Sequence, residues 1–144
     1  MYAAAQLGDV AKMRNLLLCG ASVEERAGSG TGTPLHLASL YGHVDAVELL
    51  LQSHAHVDAK TASDWTPLHC AVGNGHLEIA RKLLYAGADH KAINKQGWTP
   101  MYVAADGGRK EMVQLLLEFG ACIDQKTIGL VSKQPWLNDV IASA

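Results

Sequence analysis

The sequence predicts an all-α repeat protein in which short helix-turn-helix units stack side by side. Three observations predict it. Thr33-Pro34-Leu35-His36-Leu37-Ala38 returns as Thr66-Pro67-Leu68-His69-Cys70-Ala71 and again as Thr99-Pro100-Met101-Tyr102-Val103-Ala104, each copy 33 residues after the last. A glycine opens a second segment at the same spacing, at Gly42, Gly75 and Gly108, with an earlier copy at Gly8. Behind each glycine, apolar residues fall at helical spacing and give that segment one apolar face. A lone unit of this kind cannot bury such a face, so neighbouring units must cover it.

Each element follows from local chemistry. Residues 1–27 read as a partial N-terminal unit without its leading turn. Val10, Met13, Leu16 and Leu17 form its apolar stripe, and Asp9, Lys12 and Arg14 its solvated face. The full units are 28–60, 61–93 and 94–126. In each, the threonine (Thr33, Thr66, Thr99) suits the N-cap of a first helix, and the proline behind it suits the first helical position, where a missing N–H is no loss. The later glycine then permits the positive φ that reverses the chain.

Second helices follow, with Val44, Val47, Leu50 and Leu51, then Leu77, Ala80, Leu83 and Leu84, then Val113, Leu116 and Leu117 on their buried faces. In the last of these, Lys110 takes the first apolar place, its stem packing and its head in water. Gly20-Ala21, His54-Ala55, Gly87-Ala88 and Gly120-Ala121 close the units. His54 therefore stands where a left-handed glycine is expected. One residue is inserted at Gly28-Ser29-Gly30-Thr31-Gly32, a turn tip expected to be mobile. Residues 127–144 read as a degenerate C-terminal cap with a short helix near 134–141, Trp136 and Val140 on one side. The whole chain, 1–144, reads as a single domain.

The Thr-Pro-Leu-His-x-Ala signature in three tandem copies resembles the ankyrin-repeat family, over roughly Ala3 to Lys126. The resemblance implies a hairpin-like turn plus two antiparallel helices per unit, stacked into a curved solenoid. It implies that His36 and His69 are structural, bonding turn backbone, and that the concave face of turns and first helices binds protein. Tyr102 departs from the signature histidine.

Composition excludes several functions. Lys plus Arg total 12 against 14 Asp plus Glu, a net charge of -2, which disfavours phosphate-driven nucleic-acid binding. Cys19, Cys70 and Cys122 are odd in number and scattered, with no CxxC, which argues for a reducing compartment, cytoplasmic or nuclear. No basic start leads into a long apolar run, and no stretch of about 18 apolar residues would span a bilayer. A monomer is expected.

Catalytic and ligand chemistry finds little support. His43 and His76 open second helices, where capping or solvation explains them. His54 and His56, with His90 one unit away, are the only metal-like grouping; with no cysteine or carboxylate cluster beside them, surface loop histidines are the plainer reading. Gly28 to Gly32 lacks both nucleotide-loop patterns and reads as a flexible turn. The three cysteines read as packing thiols, and no carboxylate pair stands out as an acid–base couple. No enzyme, cofactor or metal is expected.

The repeat register places the binding residues. Trp65 and Trp98 precede the signature threonines on neighbouring turns. Leu40-Tyr41, Gly73-Asn74 and Asp106-Gly107 precede the reversing glycines, and Ser63, Lys95 and Gln96 stand at the tips. Trp65, Trp98, Tyr41 and Leu40 are expected to supply binding energy. Ser63, Asp64, Asn74, Lys95, Gln96 and Asp106 are expected to supply selectivity. The expected function is non-enzymatic recognition of a partner protein. A small stand-alone inhibitor of an enzyme or transcription factor, and a small-ligand sensor using Trp stacking, are the alternatives.

Overall fold

The computed structural model describes residues 1–143. It is all-helical, with no strand among the described residues. Four helix pairs follow one another: α1 (Tyr2–Leu7) with α2 (Val10–Leu18), α3 (Pro34–Tyr41) with α4 (Val44–Gln52), α5 (Pro67–Gly73) with α6 (Leu77–Tyr85), and α7 (Pro100–Asp106) with α8 (Lys110–Glu118). Two short helices close the described chain, α9 (Gln125–Ile128) and α10 (Leu137–Ser143).

The first helices of the three full units start at Pro34, Pro67 and Pro100, as the Thr-Pro pairs predict. Thr66 Oγ1 accepts from the His69 N–H and Thr99 Oγ1 from the Tyr102 N–H, at 3.4 and 3.2 Å. Gly42 ends α3 with φ +80, and a Cβ there would also lie 2.6 Å from the His76 ring. Glycine thus serves both the chain reversal and the close approach of the next unit. His54 adopts φ +64, the left-handed conformation that Gly20, Gly87 and Gly120 take at the same place in other units.

The pairs stack into two rows. In one row α1, α3, α5, α7 and α9 pack successively; in the other α2, α4, α6 and α8 do. The first helices approach one another more closely, because Ala4, Ala5, Ala38, Ala71, Ala104 and Ala105 stand between them, all essentially buried. Leucine-rich second helices hold their neighbours further apart, so the solenoid bends with the first helices and turn tips on its concave side.

Periodic ladders fill the core. Leu35, Leu68 and Met101 run through the first helices, and Met13, Val47, Ala80 and Val113 through the second; all seven are buried. Each fully buried aliphatic side chain of this size contributes about 1.5–3 kcal/mol.

The two ends differ. On α2, Lys12 and Asn15 are exposed, whereas their counterparts Ala46 and Leu49 on α4, and Met112 and Leu115 on α8, are buried. Beyond α8 a full turn tip is missing. Asp124 caps α9 directly, its Oδ1 accepting from the Thr127 N–H at 2.8 Å, and α9 lies against α7. The last helix buries Leu137 and Val140. Trp136 sits just ahead of it, half-buried, its Nε1 donating to Gln134 Oε1 at 3.0 Å; Leu137 rather than Trp136 pairs with Val140 on the packed face.

Candidate protein-binding surface

The turn tips of the last two full units are built alike. In one, the Thr61 N–H donates to the Trp65 carbonyl at 3.0 Å and the Trp65 N–H returns to Thr61 Oγ1 at 3.1 Å. In the next, the Asn94 N–H donates to the Trp98 carbonyl at 3.1 Å, and Asn94 Oδ1 accepts from both the Gln96 and Trp98 N–H groups at 3.0 Å. Threonine and asparagine are interchangeable there because each supplies one oxygen that closes the turn. The tips are also joined: the Ala62 N–H donates to the Gly30 carbonyl at 3.2 Å and the Lys95 N–H to the Ser63 carbonyl at 3.1 Å.

Each tryptophan carbonyl takes a second bond from the preceding unit. His36 Nε2 donates to the Trp65 carbonyl at 2.9 Å and His69 Nε2 to the Trp98 carbonyl at 3.0 Å. The opposite ring nitrogen fixes the tautomer: Nδ1 of His36 accepts from the Thr33 N–H at 3.0 Å, and Nδ1 of His69 from the Thr66 N–H at 3.3 Å. Burial holds both imidazoles below the ordinary histidine pKa, so the neutral form is the one built in. Tyr102 replaces the histidine where the chain makes no further tip whose carbonyl could accept. Its ring instead stacks on Trp98, centroids 5.3 Å apart and planes 27° from parallel. Lys126 on α9 covers the last tip, Nζ donating to the Gln96 and Gly97 carbonyls at 3.1 Å.

A second ladder runs across the far ends of the first helices. His43 Nε2 donates to the Gln6 carbonyl at 2.9 Å, His76 Nε2 to Leu40 at 3.0 Å, Arg109 Nη2 to Gly73 at 2.9 Å, and Gln134 Nε2 to Asp106 at 3.2 Å. His43 and His76 therefore do not cap their own helices or merely face water, as expected from sequence; they tie each helix pair to the one before.

A family model for ankyrin repeats in three copies matches residues 1–94, and one for ankyrin repeats in many copies matches residues 76–117. The chain belongs to the ankyrin-repeat family. No curated protein matches it. Ankyrin repeats are generally protein–protein interaction modules, and ankyrin-repeat proteins are typically non-enzymatic. Residues 118–143 lie beyond both matched spans.

The ankyrin register brings the sequence-selected residues to first-helix ends and turn tips. Trp65 is half-buried, edge-on to His69 at 5.6 Å and over Gly73, where a Cβ would lie 3.7 Å from its Cζ3. Leu40 is half-buried and Tyr41 is 50% exposed. Ser63, Lys95, Gln96 and Asn74 are exposed, and Asn74 Nδ2 donates to the Cys70 carbonyl at 2.9 Å. Asp64 holds φ +60 at the tip place that Gly97 fills in the next unit. Asp106 is paired with Lys133 from the C-terminal segment.

Leu7, outside the set that the repeat register selects from the full units, is 75% exposed. It is the ankyrin counterpart of Tyr41, and its signal was present in the Gly8 marker that follows it. Cys70 is a packing thiol: burial pushes its pKa up to about 12, so it stays protonated. Cys19 and Cys122, expected to pack as well, are exposed because they lie just past the solvent-facing ends of the second helices. Among the described residues no three His, Cys, Asp or Glu side chains gather as metal ligands, and no helix is long and apolar enough to cross a membrane.

Proposed function

We propose that this ankyrin domain recognises a partner protein through its concave face, without catalysis. Trp65, Trp98, Tyr41 and Leu40 supply the binding energy, extended by Leu7. Ser63, Asp64, Asn74, Lys95, Gln96 and Asp106 select the partner. The observation that carries this reading is the double bonding of the Trp65 and Trp98 carbonyls, each held by its own turn and by the preceding histidine. On this fixed backbone the rings rest on neighbours, Trp65 on His69 and Trp98 on Tyr102. Aromatic groups packed in this way lose little freedom on association, which leaves more of their contact energy as affinity. The first-helix ends carry little charge: Leu7, Leu40, Tyr41, Gly73 and Asn74 are neutral, and the Asp106 carboxylate is matched by Lys133. A partner surface of apolar and neutral polar groups suits them.

Units at 28–60, 61–93 and 94–126 present this face, with 1–27 and 127–144 as its ends, and the chain acts as a monomer. Free thiols at Cys19, Cys70 and Cys122 support a reducing compartment, cytoplasmic or nuclear. The test is a pull-down with the intact chain against Trp65→Ala plus Trp98→Ala, read by mass spectrometry. The double variant loses its partner, at about 2 kcal/mol or more per ring, while circular dichroism stays helical. Undiminished capture by a folded double variant refutes the proposed face.

A further inference from the structure

An open groove of about 940 Å³ lies at the C-terminal end of the row, between α8 and the two terminal helices. Leu117, Ile123, Ile128 and Ile141 line it together with Glu118. The residues in register with Leu117 in the two earlier full units are Leu51, half-buried, and Leu84, buried. Here α10 covers the seat only in part, and Ile128 stays 39% exposed. At the opposite end of the row Lys12 and Asn15 point outward, with Leu18 exposed at the end of the same helix. The C-terminal end instead keeps the apolar residues that a following unit would cover.

The groove also has a sign. A helix C-terminus carries about half a negative charge. The last turn of α8 adds Glu118 and holds no basic residue, whereas α6 ends its last turn with Lys82. Among the described residues no Lys, Arg or His lines the groove. The cations of the terminal segment are engaged elsewhere, Lys126 on the Gln96 and Gly97 carbonyls and Lys133 on Asp106.

We propose that this groove seats an amphipathic helix of a partner protein, with its apolar stripe on Leu117, Ile128 and Ile141 and a Lys or Arg against Glu118. A helix is the matching shape because the same seat in earlier units holds a helix, α6 on α4 and α8 on α6. The N-terminal face of a second copy carries Lys12, Arg14 and Asn15 outward beside the exposed Leu18, and sedimentation distinguishes that occupant from a partner helix. This site is separate from the concave face and draws on the segment beyond the matched ankyrin spans.

The test is selection of a displayed library of helical peptides on the full chain, with Glu118→Lys plus Ile128→Gln as counter-target. Both positions are exposed, and circular dichroism checks that the fold is kept. Enriched peptides carry Lys or Arg beside apolar residues three or four apart. They bind the double variant at least about tenfold more weakly and bind Trp65→Ala plus Trp98→Ala as well as the parent chain. No enrichment, enrichment without basic residues, equal binding to the groove variant, or loss of binding in the Trp variant overturns the proposal. So does sedimentation showing self-association that Glu118→Lys plus Ile128→Gln abolishes, which assigns the groove to a second copy.

Discussion

His90→Val should stabilise this protein, although it removes a larger side chain. Position 90 is one rung of a ladder that reads Val23, Val57, His90 and Ile123. The three aliphatic members are half-buried and packed on the core. His90 Nδ1 is buried with no hydrogen-bond partner among the described residues. A buried unsatisfied polar group costs about 1–3 kcal/mol. The ring is only half-buried, so its solvated part contributes nothing to that cost, and valine leaves some volume unfilled. The net expectation is a gain of about 1 kcal/mol, or about 3 °C in Tm for a chain of this length. Urea and thermal unfolding at pH 8 measure it. His90→Ala serves as control, because it removes the orphan nitrogen without replacing the aliphatic contact, and should gain less than valine. A His90→Val variant no more stable than the parent refutes the argument, and means that Nδ1 is satisfied by water in solution.

Two further outcomes follow from the bonding ladders. His36 and His69 have folded-state pKa values below their unfolded value near 6.5, through burial. The unfolded chain therefore binds more protons as pH falls. The stability these groups contribute is fully present above pH 6.5 and is lost as pH drops from there through the folded values, at up to about 1.4 kcal/mol per pH unit for each histidine. Urea midpoints that stay flat between pH 7.5 and 5.5 contradict this. Gly42→Ala forces an L-residue to φ +80 and crowds the His76 ring, with an expected loss of about 2–3 kcal/mol from left-handed strain plus the displaced bond to the Leu40 carbonyl. In a double-mutant cycle with His76→Ala the two losses should be less than additive; full additivity shows that the ring and the glycine are not coupled.

Most of the fold was legible because the decisive signals are local. Thr-Pro sets a helix start by capping and ring geometry, and a glycine sets a reversal by the absence of a Cβ. At a period of 33 these signals align every unit with its neighbours. Even the exception at His54 was readable, because the register named the backbone conformation it must adopt. The terminal segment was less legible for the same reason. Without Thr-Pro, α9 is announced only by Asp124, and an aspartate alone does not mark a helix of four residues. Just ahead of the last helix Trp136 is the larger apolar residue, but Leu137 is the one that lies on the packed face.

The side-chain ladders were invisible for a different reason. Their acceptors are main-chain carbonyls, which every residue carries, so nothing in the letters Gln6, Leu40, Gly73 or Asp106 says that each receives a bond. The donors change too, from histidine to arginine to glutamine, because the place requires only an N–H that reaches back about one unit. Residue identity there is loosely constrained while geometry is tight, the reverse of the situation at the turn-reversing glycines. A recognition surface built on such a frame can change its exposed side chains freely. Tyr41, Asn74 and Gly107 occupy one register with Leu7 yet share no chemistry. On the proposed function, partner choice falls to the residues the repeat leaves free, and rigidity to those it repeats.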